Sequence, residues 1–342
     1  MPVLQADDIA DLVAGTLREL GRFRFQQIAQ QLQRYEVMSK WLSKDRLTID
    51  DGRGIQRTLM MKTGGAARHV GMYERDDVNV QDLLTQMNVP WRHAEAFWVF
   101  ERREVLMNRG QSLVVNIIEP RRVAARLDLV EELEEKAWAC PAATDEISPY
   151  GIPYWIVKNA TTGFTGGNPI GHASTGGIDR SSNTNFRNYS LTYSAVTKAD
   201  LIKKMRTMHR KVNWRSPVDL QDYRRNGQGY VVYVNESTMS ALEDVGESQN
   251  ENLGRDIATI DESLTFRRHP IRWVPTLDSD TSNPLYFIDH SVFYAIVLKG
   301  DYLYEHRPKP APFSHNAYVV WTDLSYNYVC VDPRRCGVAY KP

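Results

Sequence analysis

Several features that would disclose a function are missing from this chain, and each absence narrows the choice. Cysteine is scarce: Cys140, Cys330 and Cys336 are the only three in 342 residues. An odd number at these spacings makes neither a disulfide framework nor a zinc site, and it fits a reducing compartment. Neither sign of charge is in excess, since Lys plus Arg and Asp plus Glu each total 42 and cancel. A dedicated nucleic-acid-binding domain would normally show a basic surplus. Apolar runs such as Val292–Leu298 are short, far below the ~18 residues of a membrane span. The opening MPVLQADDIADLVAG has no basic stretch leading into an apolar one, so no signal peptide is visible. Internal repeats and low-complexity tails are missing too. The expectation is a cytosolic, soluble chain with room for two domains or one elaborated one.

Chemical signatures are equally sparse. The eight histidines form no H-E-x-x-H and do not pair with cysteine at metal-ligand spacing. Asp289-His290-Ser291 has the composition of a catalytic trio, but neighbours along a strand face opposite ways. Glu131, Glu132, Glu134 and Glu135 cluster without a histidine and read as the solvated face of a helix. No catalytic, cofactor-binding or metal-binding residue is predicted, and the chain does not read as an enzyme.

One motif needs a test. TTGFTGGNPIGHASTGG, residues 161–177, places Gly166 and Gly171 at the G-x-x-x-x-G spacing of a phosphate-binding loop, after a strand-like run YWIVKN. A working loop continues with Lys and then Ser or Thr, and opens a helix. Here His172 and Ala173 follow, and ASTGGIDRSSNTN reads as loop. The glycines are expected to permit tight turns and close backbone approach instead.

The pattern along the chain is mixed α+β without regular βαβ alternation. Ile9, Leu12, Val13, Leu17 and Leu20, then Phe25, Ile28, Leu32 and Tyr35, recur at helical spacing and predict a helical arm. Gly71–Gly110 reads as a long two-stranded excursion with apolar Ala96–Phe100. Trp91, Phe97, Trp98 and Phe100 cannot all hide within a hairpin. Either they fill an ordinary core or they lie against a neighbouring subunit. SLVVNII reads as a buried strand, and Pro120 then opens a helix with Val123, Leu127, Val130, Leu133 and Ala137 as its apolar stripe. Thr197 is a candidate N-cap for a second helix, with Leu201, Met205, Met208 and Val212 inward. Charge is segregated: residues 198–225 hold nine basic and three acidic residues, whereas residues 244–262 hold six acidic and one basic. Such faces suit contacts between copies as readily as contacts with nucleic acid.

The order arm, hairpin, long helix, glycine-rich loop, second helix and β-rich end resembles the major capsid proteins of tailed double-stranded DNA phages, the Hong Kong 97-like fold. FERREVLMNRG before VVNIIEPRRVAARLDLVEELEEKAW, GIPYWIVKNATTGFTGGNPIGH before FRNYSLTYSAVTKADLIKKMR, and YNYVCVDPRRCGVAY at the end carry the likeness. The resemblance implies an N-terminal arm over residues 1–63 and an extended loop over 64–110. A peripheral domain would span 111–216, with a spine helix at 121–139. An axial domain would span 217–322, and residues 323–342 would return to the periphery. It implies a structural subunit that self-assembles into hexamers and pentamers of an icosahedral head around double-stranded DNA, built in the host bacterial cytoplasm and residing in the virion. Trp91, Phe97, Trp98 and Phe100 would then be subunit-interface residues. Expected partners are copies of itself, a separate scaffolding protein, a portal and decoration proteins. Packaged DNA would be contacted non-specifically, with Lys203, Lys204, Arg206 and Arg210 as candidates; no membrane is implied. Some relatives link a loop lysine to a neighbour's asparagine, but no lysine lies between Lys62 and Lys136, so a non-covalent shell is expected. Replacing His172 should touch no chemistry, while bulk at Gly166 or Gly167 should impair assembly. The alternatives are an encapsulin-type nanocompartment shell and, from another class, a cytosolic phosphate-binding enzyme.

Overall fold

A computed structural model describes residues 35–43, 46–50, 52–62, 67, 69–72, 82–107, 118–213, 229–247, 264–311 and 315–342. The helical arm expected before Tyr35 and the strand expected at SLVVNII lie outside these residues, apart from Ile118. The chain divides into two compact units. The smaller contains residues 93–132 and 300–325, and the larger contains residues 33–92, 133–299 and 326–342.

The larger unit is built on a mixed sheet of six strands. These are β5 (Tyr189–Thr192), β6 (Tyr230–Val234), β7 (Thr265–Phe266), β8 (His269–Trp273), β9 (Leu285–Asp289) and β14 (Gly337–Tyr340). Their spatial order is β5-β14-β9-β6-β8-β7. β14 runs parallel to β5 and antiparallel to β9, and β6 runs antiparallel to β9 and parallel to β8. All five residues of β6 and of β9 are buried, as continuous apolar runs covered on both faces require. One face carries helices α3 (Lys203–Val212) and α4 (Glu236–Glu247). Leu201, Met205, Met208 and Val212 are buried there with Tyr230, Val232, Val234 and Leu242, so the predicted stripe of α3 is the observed one. A turn of π-helix, Lys198–Ile202, precedes α3, and Thr197 Oγ1 caps it by accepting from Asp200 N at 3.2 Å. The C-terminal strand β14 lies between β5 and β9.

The opposite face packs against a helical turn, Val37–Trp41, and the end of helix α2 (Ile118–Ala137). Trp41 is fully buried, ringed by Trp138, Tyr233, His290, Phe293 and Tyr328 at centroid distances of 5.4–6.0 Å. A tryptophan there removes about 200 Å² from water, on the order of 5 kcal/mol as an upper figure. The inward stripe of α2 is Ala125, Leu129, Leu133 and Ala137, with Val123, Leu127 and Val130 half-buried. The expected stripe is thus rotated: small alanines, weak in a hydrophobicity pattern, are among its buried residues.

Glu134 also departs from expectation, since it is buried rather than on a solvated face. Its Oε2 accepts from Val37 N at 2.9 Å and its Oε1 from Trp138 Nε1 at 2.9 Å. Burial pushes its carboxyl up to about 7. The folded state therefore binds an extra proton between about pH 4.5 and 7, and stability falls as pH rises through that window, by on the order of 3 kcal/mol. Glu134→Gln should be less stable than the parent at pH 5 and lose this disadvantage by pH 8, read from urea unfolding at both pH values. A gap that stays constant with pH would contradict it.

In the same unit β1 (Leu47–Ile49) pairs in parallel with β10 (Phe293–Leu298), which pairs antiparallel with Tyr326–Cys330 of β13 (Ala317–Cys330). A separate two-stranded ribbon joins β2 (Gly54–Met60) to β3 (Leu84–Pro90), in register from Gly54↔Pro90 to Met60↔Leu84. The ribbon thus begins earlier in the chain than the predicted excursion. In GIQRTLM the alternation is carried by one buried residue, Ile55, set against Met87 and Val89.

In the smaller unit β4 (Arg92–Glu101), β11 (Tyr304–Glu305) and β12 (Lys309–Pro310) pair with β13. Ala96–Phe100 therefore belongs to a larger sheet, not to the hairpin. Helix α1 (Arg102–Met107) follows β4, and Arg121 of α2 grips Glu104 with two bonds of 2.8 and 3.1 Å.

Candidate functional site

The glycine-rich stretch is filled from within. The run before it is not a strand: Ile152–Trp155 is one helical turn capped by Gly151, with Tyr150 and Tyr154 stacked at 4.0 Å. Proline at the start of that turn and the stacked rings favour helix over the apparent strand pattern. Gly163 forms an isolated bridge with Ser190, and Gly166 N donates to Asn188 O at 3.3 Å. Thr175 and Ile178 bridge across Gly176 and Gly177, whose φ angles of 57° and 84° only glycine adopts freely.

Arg180 is the centre of this loop. It is fully buried, and its guanidinium donates to Gly167 O at 3.0 Å, Trp155 O at 2.7 Å and Asn188 Oδ1 at 3.2 Å. Phe186 lies under it at 5.5 Å, and burial pushes its guanidinium down to about 10. Asn168 accepts from Arg180 N at 3.0 Å and donates to Ala173 O at 2.7 Å and Asp179 Oδ1 at 2.8 Å. The loop's own cation is thus committed to carbonyl and amide oxygens. His172 is held too, with Nε2 2.9 Å from Pro141 O and its ring edge-on to Tyr154 at 5.0 Å.

Asp289, His290 and Ser291 do not converge. Asp289 pairs with Arg335, while His290 Nε2 lies 2.9 Å from Tyr233 OH beside Trp41. Burial holds His290 well below the usual imidazole range, so it is neutral. Ser291 N donates to Asp289 Oδ1 at 2.9 Å, a turn bond.

The four predicted interface aromatics part company. Trp91 donates Nε1 to Gly52 O at 2.8 Å. Trp98 and Phe100 share one face of β4, 5.5 Å apart, and Phe100 stacks on Tyr318 at 5.6 Å. Phe97 points the other way and is 61% exposed, with Val99 beside it. Sequence reasoning missed a second apolar surface at the ribbon end, where the paired Met60 and Leu84 are 64% and 60% exposed and Val70 and Met72 are also exposed. On α3, Lys203, Arg206 and Arg210 face solvent, whereas Lys204 binds Asp200 at 2.6 Å.

No family model matches the sequence, and no curated protein does. Solved structures do match. A chain of the Cyanophage A-1(L) capsid asymmetric unit superposes with a TM-score of 0.64 at 10% identity, covering 94% of this chain and 97% of that one. The capsid of a native GTA particle gives 0.58 at 10% identity, with 94% and 96% covered. The mature capsid of bacteriophage PhiM1 gives 0.55 at 9% identity, with 94% and 91% covered. The fold is that of a phage capsid chain. On that fold Met60, Leu84 and Phe97 leave apolar surface exposed. Their sequence signal is weak: one apolar residue at a strand end and alternation within β4.

Proposed function

We propose that this chain is the major capsid protein of a tailed double-stranded DNA phage, of the Hong Kong 97-like kind, with a structural rather than an enzymatic role. The observation that carries the reading is the end-to-end match to capsid chains, which leaves almost none of either chain over. The loop geometry fits it, because the glycine-rich stretch packs around the Arg180 guanidinium, whose bonds go to Gly167, Trp155 and Asn188. In this reading the β2–β3 ribbon is the extended loop that reaches a neighbour, and α2 is the spine helix of the peripheral domain. Phe97 and the ribbon-end residues bury their apolar surface against other copies, in hexamers and pentamers that close into an icosahedral head. A scaffolding protein, a portal and packaged DNA are the partners this implies.

Expressed in bacteria, the chain should yield rings or closed shells in negative-stain electron microscopy, alone or with the products of neighbouring genes. A chain that stays monomeric under all these conditions and binds nucleotide would overturn the reading. Because residues 63–135 contain no lysine, boiled shells should run as a single monomer band in denaturing gels. A ladder of multimers would refute the non-covalent shell.

A further inference from the structure

The charges of this chain cancel in total but not in place. On α3, Lys203, Arg206 and Arg210 recur at i, i+3 and i+7, opposite the buried Met205, Met208 and Val212, with Lys211 beside them. The β7–β8 turn adds exposed Arg267 and Arg268, with φ of 50° and 69°. Arg267 joins this face to the helix: its Nη1 lies 3.3 Å from His209 Nδ1. Burial, with His269 and Arg267 nearby, holds His209 at about 4, so the ring meeting Arg267 is neutral. None of these cations has a carboxylate partner among the described residues. Like charges three and four residues apart on a helix repel, and two arginines are poor occupants of a turn that favours Asn-Gly. For an isolated chain the arrangement is unfavourable, which calls for a counter-charge from outside.

The complement lies on the same chain. α4 exposes Glu236, Glu243 and Asp244 at i, i+7 and i+8. Asp278, exposed beside its first turn, accepts from Glu236 N at 2.7 Å. Both helices cover one face of the six-stranded sheet: α3 lies over β5 and β14 and reaches β8 and the β7–β8 turn through His209, which meets His269 at 3.1 Å, and α4 lies over β8.

We propose that these faces meet between copies. The basic face of α3 and the β7–β8 turn of one chain dock on the acidic face of α4 and Asp278 of the next. The contact is head-to-tail, so the same pair of surfaces repeats around a ring. Complementary charge fixes the partner and its register, and juxtaposed like charges penalise wrong pairings. DNA would neutralise the basic face only and leave α4 uncompensated, whereas a second copy answers both. The contact rests on the shell reading above.

The test is a charge swap in the full chain, read by light scattering and negative stain, with circular dichroism to establish folding. Lys203→Glu, Arg206→Glu and Arg210→Glu together should cut the assembled fraction at least tenfold. Glu236→Lys, Glu243→Lys and Asp244→Lys together should do the same. The chain carrying both sets should recover assembly, which a misfolded variant could not do. Folded single-face variants that assemble like the parent overturn the contact. If their shells have also lost co-purifying nucleic acid, the basic face serves DNA instead. A combined variant as defective as its parts also overturns it. A parent that never assembles overturns the shell reading, and this contact with it.

Discussion

Alanine at Gly151 should lower the melting temperature far more than alanine at Gly167, with Gly166 close behind Gly151. The φ of Gly151 is −67°, which any residue adopts, so the requirement is for space and not for a special backbone. A Cβ there would lie 2.2 Å from Ala139 O, 2.6 Å from Ala137 O and 2.8 Å from Lys136 O. These carbonyls end α2 and cannot retreat without unwinding it. The expected cost is about 3 kcal/mol, at the upper end of overpacking effects. At Gly166 a Cβ would meet Asn188 Oδ1 at 1.9 Å, an atom already engaged by Val157 N at 3.0 Å and by Arg180. At Gly167 nothing lies within 4 Å, so alanine should change stability by no more than about 0.5 kcal/mol. Differential scanning fluorimetry of the three variants checks the order. Equal effects at Gly151 and Gly167 would refute the steric account. The sequence-based expectation treated Gly166 and Gly167 alike; the structure separates them.

That difference shows which parts of the fold sequence can reveal. The stripe of α3 and its Thr197 cap were readable because every inward residue is large and apolar and the cap sits one turn ahead of it. The strands β6, β9 and β10 were readable as unbroken apolar runs. The register of α2 was not, because two of its buried residues are alanines and because Glu134 is buried with two hydrogen bonds from residues 97 positions upstream and four downstream. The ribbon was misplaced for a related reason. β4 is richer in aromatics than β2, yet its partner is β13, more than 200 residues away, and pairing over that distance leaves no local trace. The candidate assembly surfaces divide in the same way. The aromatic run of β4 was conspicuous, but strand alternation sends Phe97 out and Trp98 and Phe100 in. Met60 and Leu84 become a patch only once the β2–β3 register sets them side by side.

Arg180 is the residue whose loss should undo the glycine-rich loop, and the pattern of its contacts sets the size of the effect. It has no carboxylate partner among the described residues. Its three acceptors belong to Trp155, Gly167 and Asn188, which lie before, within and after the loop. Arg180→Ala leaves the Gly167 and Trp155 oxygens without this donor, at about 1–3 kcal/mol each, leaves Asn188 Oδ1 with Val157 N alone, and removes the planar group that packs on Phe186. Partial relaxation and entry of water reduce the sum, and a net loss of about 4 kcal/mol, or roughly 6 °C in melting temperature, is expected. Arg180→Lys should recover little of this, because a single ammonium cannot reproduce a fork that reaches oxygens on separate segments. Asn188→Ala removes one acceptor of Arg180 and also the bond to Val157 N, so it should be nearly as damaging alone and less than additive with Arg180→Ala. Thermal melts of the two single variants and the double variant test this directly. A lysine variant within 2 °C (about 1 kcal/mol) of the parent would show that charge alone suffices. Additive losses would show that Arg180 and Asn188 act separately, and the loop would then be held at scattered points rather than at one.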